Sequence, residues 1–258
     1  MKADYIWMNG EMIPFEQANI SFLSPTIHYG LGAFEGIRCY ETSGGAAVFR
    51  LSEHLQRLLD SALIFGIRDF RYTLEELREA TFETIRANGF NSCYIRPLIY
   101  LDGPLGLNLD SAEPKFGIAA WEWGAYLGEE ALESGVHMMV SSFTRHHINA
   151  SMTKAKICGN YVNSVLAKTL ALRSGYDEAI MLDPQGYVSE CSGENLFIVR
   201  GAEIITPPQA TILEGITRDS VITLARDSGY TVMEEFVSRD QLYIADELFV
   251  CGTAAEVT

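Results

Sequence analysis

Ser151-Met-Thr-Lys-Ala-Lys-Ile-Cys-Gly-Asn-Tyr161 is the stretch whose reading decides what this chain is. Of 258 residues only five are lysines, and Lys154 and Lys156 both fall here. Lys2 is terminal, Lys115 sits in a polar loop, and Lys168 belongs on the solvated face of a helix. A lysine among small residues at a strand-to-helix junction can come close to a planar cofactor. Two ordinary surface lysines would look the same. Strand alternation does not separate 154 from 156, because residues two apart face the same way.

Working outward, the chain reads as mixed α and β, with hairpins dominating the first half. Tyr5 to Pro14 is an apolar run, the turn pair Asn9-Gly10 and a second short strand. Ile37–Tyr40 and Ala47–Arg50 form another hairpin through Thr42-Ser43-Gly44-Gly45. A helix follows with Ser52 as its N-cap and Leu55, Leu58, Leu59, Ala62 and Leu63 on one face. Thr73 and Glu76 make a capping box for the next helix, which Gly89 closes. Strands are expected at 93–101, 116–121, 136–142, 178–182, 195–199, 231–236 and up to Val250. Helices are expected at about 161–173 and 216–228, with a helical turn after Ser238. This pattern predicts an α+β chain of two domains, 1–120 and 135–258, joined by the Gly, Glu and Ala-rich segment 121–134.

Composition excludes several functions. Hydrophobic residues make up 48% and aromatics 11%, as in a globular protein. The formal net charge of −15, with no basic stretch to offset it, argues against nucleic acid or an anionic membrane as partner. No apolar run reaches the ~20 residues of a membrane-crossing helix, and the N-terminus lacks a signal-peptide core. The five cysteines, 39, 93, 158, 191 and 251, contain no CxxC pair and fit reduced thiols. A soluble, cytoplasmic protein is expected. Gly30-Leu-Gly-Ala-Phe-Glu-Gly36 is one residue off a dinucleotide fingerprint, and a strand follows it where the fingerprint needs a helix. The histidines, including His146 and His147, lack metal-ligand spacing, so no metal is expected.

Taken together, the segments resemble the branched-chain amino acid aminotransferases, of the fold-type IV (D-amino acid aminotransferase-like) class of pyridoxal-phosphate enzymes. The likeness runs from Tyr5-Ile-Trp-Met-Asn-Gly-Glu-Met12 to Gly252-Thr-Ala-Ala-Glu-Val-Thr258. In that family, the lysine that carries the cofactor is followed five residues later by the tyrosine of a Gly-Asn-Tyr sequence. The resemblance therefore implies Lys156, not Lys154, with Tyr161 beside the phenolic oxygen of pyridoxal 5'-phosphate.

Ser189-Glu-Cys-Ser-Gly-Glu-Asn-Leu-Phe197 is similar to the family's SEGxGENLF motif, and implies Glu190 as the carboxylate facing the pyridine nitrogen. An ionised carboxylate there keeps the ring protonated and a better electron sink. The cofactor phosphate would be held by Arg57, Thr253 and the helix start at Ile216 and Thr217, where free N–H groups suit an anion. Without the resemblance Thr217 reads as an N-cap and Arg57 as a surface arginine.

Tyr94-Ile-Arg96-Pro matches a substrate-binding segment. Tyr94 and Arg96 would share one strand face, suited to a carboxylate. Phe34, Trp123, Tyr126, Ala254 and Thr253 would line the remaining pocket. Tyr29 and Leu107 would come from a neighbouring subunit of a homodimer or higher homo-oligomer.

The implied reaction moves amino groups between leucine, isoleucine or valine and 2-oxoglutarate, so the partners are small amino and 2-oxo acids. D-amino acid aminotransferases, (R)-amine transaminases and aminodeoxychorismate lyases share the lysine and the glutamate, and a non-catalytic metabolite binder is the alternative from another class. Family members continue for a few dozen residues after the Gly-Thr-Ala-Ala-Glu segment, whereas this sequence stops at Thr258, so the reading expects a second domain that lacks the family's C-terminal tail.

Overall fold

The computed structural model describes residues 3–124, 126–128 and 130–258, apart from the side chain at 132. It divides into two compact units, Met1–Trp123 with Ala155–Gly159, and Gly124–Lys154 with Asn160–Thr258. Residues 155–159, with Lys156 among them, fall inside the expected 135–258 domain yet are part of the first unit, while Lys154 stays in the second.

That first unit contains β1 (Tyr5–Met8), β2 (Glu11–Pro14), α1 (Pro25–Tyr29), β3 (Gly32–Phe34), β4 (Ile37–Thr42), β5 (Gly45–Val48), α2 (Leu51–Ile64), α3 (Leu74–Asn88), β6 (Cys93–Asp102) and β7 (Glu113–Trp121). Its antiparallel sheet runs β2-β1-β7-β6-β4-β5, and β3 pairs with β6. Asn9 and Gly10 take φ of 55° and 108°, so the first hairpin turns on two left-handed residues, as Asn-Gly predicts. Helices α2 and α3 bury Leu55, Leu58, Leu77 and Ala80 with Ile95, Ile99, Phe116 and Ile118 of the sheet. The capping box of α3 forms as expected.

The start of α2 is corrected. Its N-cap is Arg50, at φ 48° and with no side-chain cap, and Ser52 already lies inside the helix. Burial of Leu51 at 6% exposure draws the helix start ahead of Ser52, and Arg50 pairs with Glu53 at 2.8 Å across the first turn. Leu63, expected on the apolar face, is exposed.

The second unit holds α4 (Ala131–Ser134), β8 (Met138–Val140), α5 (Ile148–Ser151), α6 (Tyr161–Arg173), β9 (Glu178–Leu182), β10 (Tyr187–Cys191), β11 (Asn195–Arg200), β12 (Glu203–Thr206), α7 (Ile216–Asp227), β13 (Thr231–Glu234), β14 (Val237–Ser238), α8 (Gln241–Ile244), β15 (Glu247–Gly252) and β16 (Glu256–Val257). They build two sheets, β14-β10-β9-β8 and β13-β12-β11-β15-β16. Ala167 and Ala171 of α6 pack on Ala179 and Met181, and Ile222 of α7 on Phe197 and Ile204. Small residues on α6 let that helix lie close to its sheet. Among the described residues, no helix is long and apolar enough to cross a membrane.

Candidate active site

In the first unit, the lysine segment lies along β3 as an extra edge. Phe34 donates its N–H to the carbonyl of Lys156 at 3.0 Å, Ala33 bridges Ile157, and the Gly159 N–H reaches the Gly30 carbonyl. Gly30 has to be glycine. Its φ is 69°, and a Cβ there would lie 2.7 Å from the Gly159 backbone. Ala155 and Ile157 sink into the core at 3% and 0% exposure, so extended-chain alternation turns Lys156 to the other side. There its Nζ sits 5.1 Å from the centre of the Phe34 ring.

Arg96, on β6, stands 4.7 Å from the same ring and donates from Nη2 to the Tyr94 hydroxyl at 2.7 Å. The shared face expected for Tyr94 and Arg96 is therefore present. Buried Arg96 Nε has no hydrogen-bond partner among the described residues. An orphaned guanidinium N–H beside an aromatic wall calls for an anionic group from outside the chain. Trp123 packs edge-on to Tyr94 at 4.7 Å, and its carbonyl accepts from Arg38 Nη1 at 2.8 Å. Gly36 admits the Tyr94 hydroxyl, which would lie 2.0 Å from a Cβ at that position. Ser61 ties Lys156 to α2: its hydroxyl accepts from the Lys156 N–H at 2.9 Å and donates to the Arg57 carbonyl at 2.7 Å. Tyr29, at the end of α1, and Leu107, in the loop after β6, are 41% and 84% exposed.

In the second unit, Glu190 ends in a buried position on β10, 6% exposed. One carboxylate oxygen accepts from Arg145 Nε at 2.7 Å, the other from Asn195 Nδ2 at 3.3 Å and the Leu213 N–H at 3.2 Å. Three donors fix its orientation. Next to Arg145, burial and the Arg145 charge push His146 down to about 4, so its ring is neutral at pH 7.

Helix α7 starts at Ile216 behind Gly215, with no side-chain cap. Thr217 is therefore inside the first turn and is not the N-cap that its type suggests. Gly215 is needed because a Cβ there would lie 1.9 Å from Asn195 Oδ1. A helix start behind a glycine and followed by a threonine is of the kind that suits a phosphate. Thr253 and Ala254 follow β15, and the Ala254 carbonyl accepts from the Tyr126 N–H at 3.4 Å. Tyr161 is the first residue of α6. Lys154, the other lysine of the segment, bonds the Gln209 carbonyl and pairs with Glu214 at 2.7 Å.

Sequence reasoning missed Arg145, Asn195, Arg38 and Ser61. Asn195 lies in the quoted SECSGENLF run and was open to view. Arg145 stands beside the two histidines weighed only as metal ligands. Arg38 and Ser61 carry no local pattern, since their roles depend on which strand and segment lie beside them.

The profile of the amino-transferase class IV family matches residues 32–258. A branched-chain-amino-acid aminotransferase of Pseudomonas aeruginosa is 48% identical over 254 residues, spanning 98% of this chain and 82% of that protein. That of Escherichia coli K12 is 49% identical over 264 residues, spanning 100% of this chain and 84% of its own length. A crystal structure of the Escherichia coli branched-chain amino acid aminotransferase superposes with a TM-score of 0.97 at 49% identity, covering 100% and 85% of the two chains. A T.th. branched-chain amino acid aminotransferase, solved with pyridoxamine 5'-phosphate, gives 0.96 at 52% identity, covering 100% and 85%.

Proposed function

The chain belongs to the amino-transferase class IV family, and from that premise we propose that it transfers amino groups from branched-chain L-amino acids to 2-oxoglutarate with pyridoxal 5'-phosphate. The observation that carries this reading is the grouping at one aromatic ring. Phe34 has the Lys156 amine 5.1 Å from its centre and the Arg96 guanidinium at 4.7 Å, with Arg96 Nε left for an anion. An amine, an apolar wall and a buried cation together suit a substrate that is an amino acid with either an aliphatic or a carboxylate side chain. An apolar pocket separates aliphatic shapes weakly but rejects an unpaired charge strongly. Arg96 answers the charge of glutamate while the rest of the wall stays apolar.

The residues that would hold the cofactor are Arg57, Ile216, Thr217 and Thr253 for the phosphate, Tyr161 for the phenolic oxygen, and Glu190 for the pyridine nitrogen. Bound pyridoxal phosphate supplies the electron sink for the pair left at Cα. Lys156 Nζ takes the proton from Cα, since Lys154, the other lysine of the segment, is engaged with Glu214. Glu190, held by Arg145 and Asn195, keeps the nitrogen proton in place. Tyr94 and Arg96 orient the dicarboxylate substrate. Phe34, Trp123 and Tyr126 exclude water from the aliphatic one. Tyr29 and Leu107, both exposed, suit cover by a second copy in a homodimer or larger homo-oligomer. The five free cysteines fit a reducing cytoplasm.

The test compares turnover of leucine with 2-oxoglutarate against D-alanine and aminodeoxychorismate. Leucine is expected to be the substrate, and a preference for either competitor would replace this reading.

A further inference from the structure

Arg57 projects from α2 onto two buried residues, Glu35 and His54, that have no part in the reading above. Glu35, fully buried, grips the guanidinium with both oxygens: Arg57 Nε donates to Oε1 at 2.6 Å and Nη2 to Oε2 at 2.9 Å. His54, 1% exposed and one helical turn before Arg57, lies with Nδ1 2.8 Å from Oε2. The Gly36 N–H reaches the same oxygen at 3.2 Å.

Burial opposes charge on Glu35, yet Arg57 and His54 hold its carboxyl far below the usual range, so it is ionised. Burial keeps His54 neutral by lowering its pKa despite that carboxylate. A neutral ring facing a carboxylate through Nδ1 donates from that nitrogen. Glu35 thus accepts four hydrogen bonds and ties the connection between β3 and β4 to α2.

The cluster also closes on the lysine. Phe34, the neighbour of Glu35, donates to the Lys156 carbonyl at 3.0 Å, and the Lys156 N–H returns to α2 through Ser61. Arg57 and Lys156 are therefore held in one register by contacts wholly within the first unit.

We propose that Glu35, backed by His54, is a positioning residue that fixes the Arg57 guanidinium for the cofactor phosphate and sets its place relative to Lys156. The proposal rests on the cofactor reading given above. Its physical content is preorganisation. A free arginine side chain is rich in rotamers, and a side-on bidentate grip removes that freedom before any ligand arrives. Glu35 spends part of the arginine's charge in doing so, since the pair is formally neutral. A role in raising the local positive potential is thereby excluded. Orientation is what remains.

The two effects have opposite signs in an experiment. The full-length protein, stripped of cofactor, is titrated with pyridoxal 5'-phosphate and with unphosphorylated pyridoxal, reading visible absorbance of the bound compound. Glu35→Gln is expected to weaken pyridoxal phosphate about tenfold, the loss of one charge-assisted contact, while pyridoxal changes by less than about twofold. In an Arg57→Ala background, Glu35→Gln should add nothing further for pyridoxal phosphate.

His54→Leu keeps the Arg57–Glu35 pair. It should show a smaller loss of the same phosphate-selective kind, and His54→Asn should restore it. The His54 pair carries the test if Glu35→Gln fails to fold by circular dichroism. Unchanged or tighter binding of pyridoxal phosphate, an equal loss for both compounds, or additivity with Arg57→Ala would each overturn the proposal. Wild-type protein that takes up neither compound would instead overturn the cofactor reading, and this proposal with it.

Discussion

Arg145 is the residue whose loss should be felt most directly at Glu190. Removing one member of a buried ion pair leaves the other charged in low dielectric, typically costing about 3–5 kcal/mol. Both members are under a tenth exposed, at 9% and 7% for their side chains, so solvent gives little relief. Arg145→Gln is therefore expected to lower stability by about 3 kcal/mol in denaturant melts and to shift the visible band of the bound cofactor. An unchanged melt with an unchanged band would show that Arg145 does not hold Glu190. Lys156→Ala should lower turnover on the order of a thousandfold or more and abolish the cofactor's visible absorbance, whereas Lys154→Ala should preserve both. The equality of the two lysines by strand parity is broken by their surroundings: Glu214 and two carbonyls take up Lys154, and the Phe34 ring faces Lys156.

At the scale of the element, β3 with its turn into β4 and the β10–β11 connection do the shaping. Gly36→Ala would drive a methyl into the Tyr94 hydroxyl and break its contact with Arg96. Its KM for glutamate should rise about tenfold, with a smaller change for leucine. An equal change for both would separate Arg96 from dicarboxylate recognition.

Between β10 and β11, Glu194 is 3% exposed and lies near Glu178, which pairs with Lys168 at 2.6 Å. Burial, then the Glu178 charge, raises Glu194 from 4.5 to about 8. With the folded value above the unfolded one, its proton stabilises the fold fully below about pH 4.5, and that stabilisation is lost as pH rises toward 8. Melting temperature should therefore fall between about pH 4.5 and 8 and level off above that, and Glu194→Gln should flatten the fall; an equally steep variant would locate the titration elsewhere.

The readable elements were those with strong local signals, such as the Asn9-Gly10 turn and the capping box of α3. The three-residue strand β3 escaped because Gly-Ala-Phe has no alternation to show. β10 and β12 escaped because burial on both faces leaves no polar-apolar rhythm.

For the molecule as a whole, the α+β class and most helices were legible from periodicity, while the roles proposed for Lys156 and Glu190 rest on motif resemblance. The contacts that orient them were not legible. Arg145 is 45 residues from Glu190, and Ser61 is 95 from Lys156, so only the folded sheet and helices reveal the pairing. The same holds for residues 155–159, which join the first unit although the chain on either side of them builds the second. The most direct test of the central claim is the visible spectrum of the purified protein before and after L-leucine. The account predicts that leucine bleaches the cofactor band and that 2-oxoglutarate restores it. A spectrum indifferent to L-leucine but responsive to D-alanine, or one with no visible band at all, would contradict it.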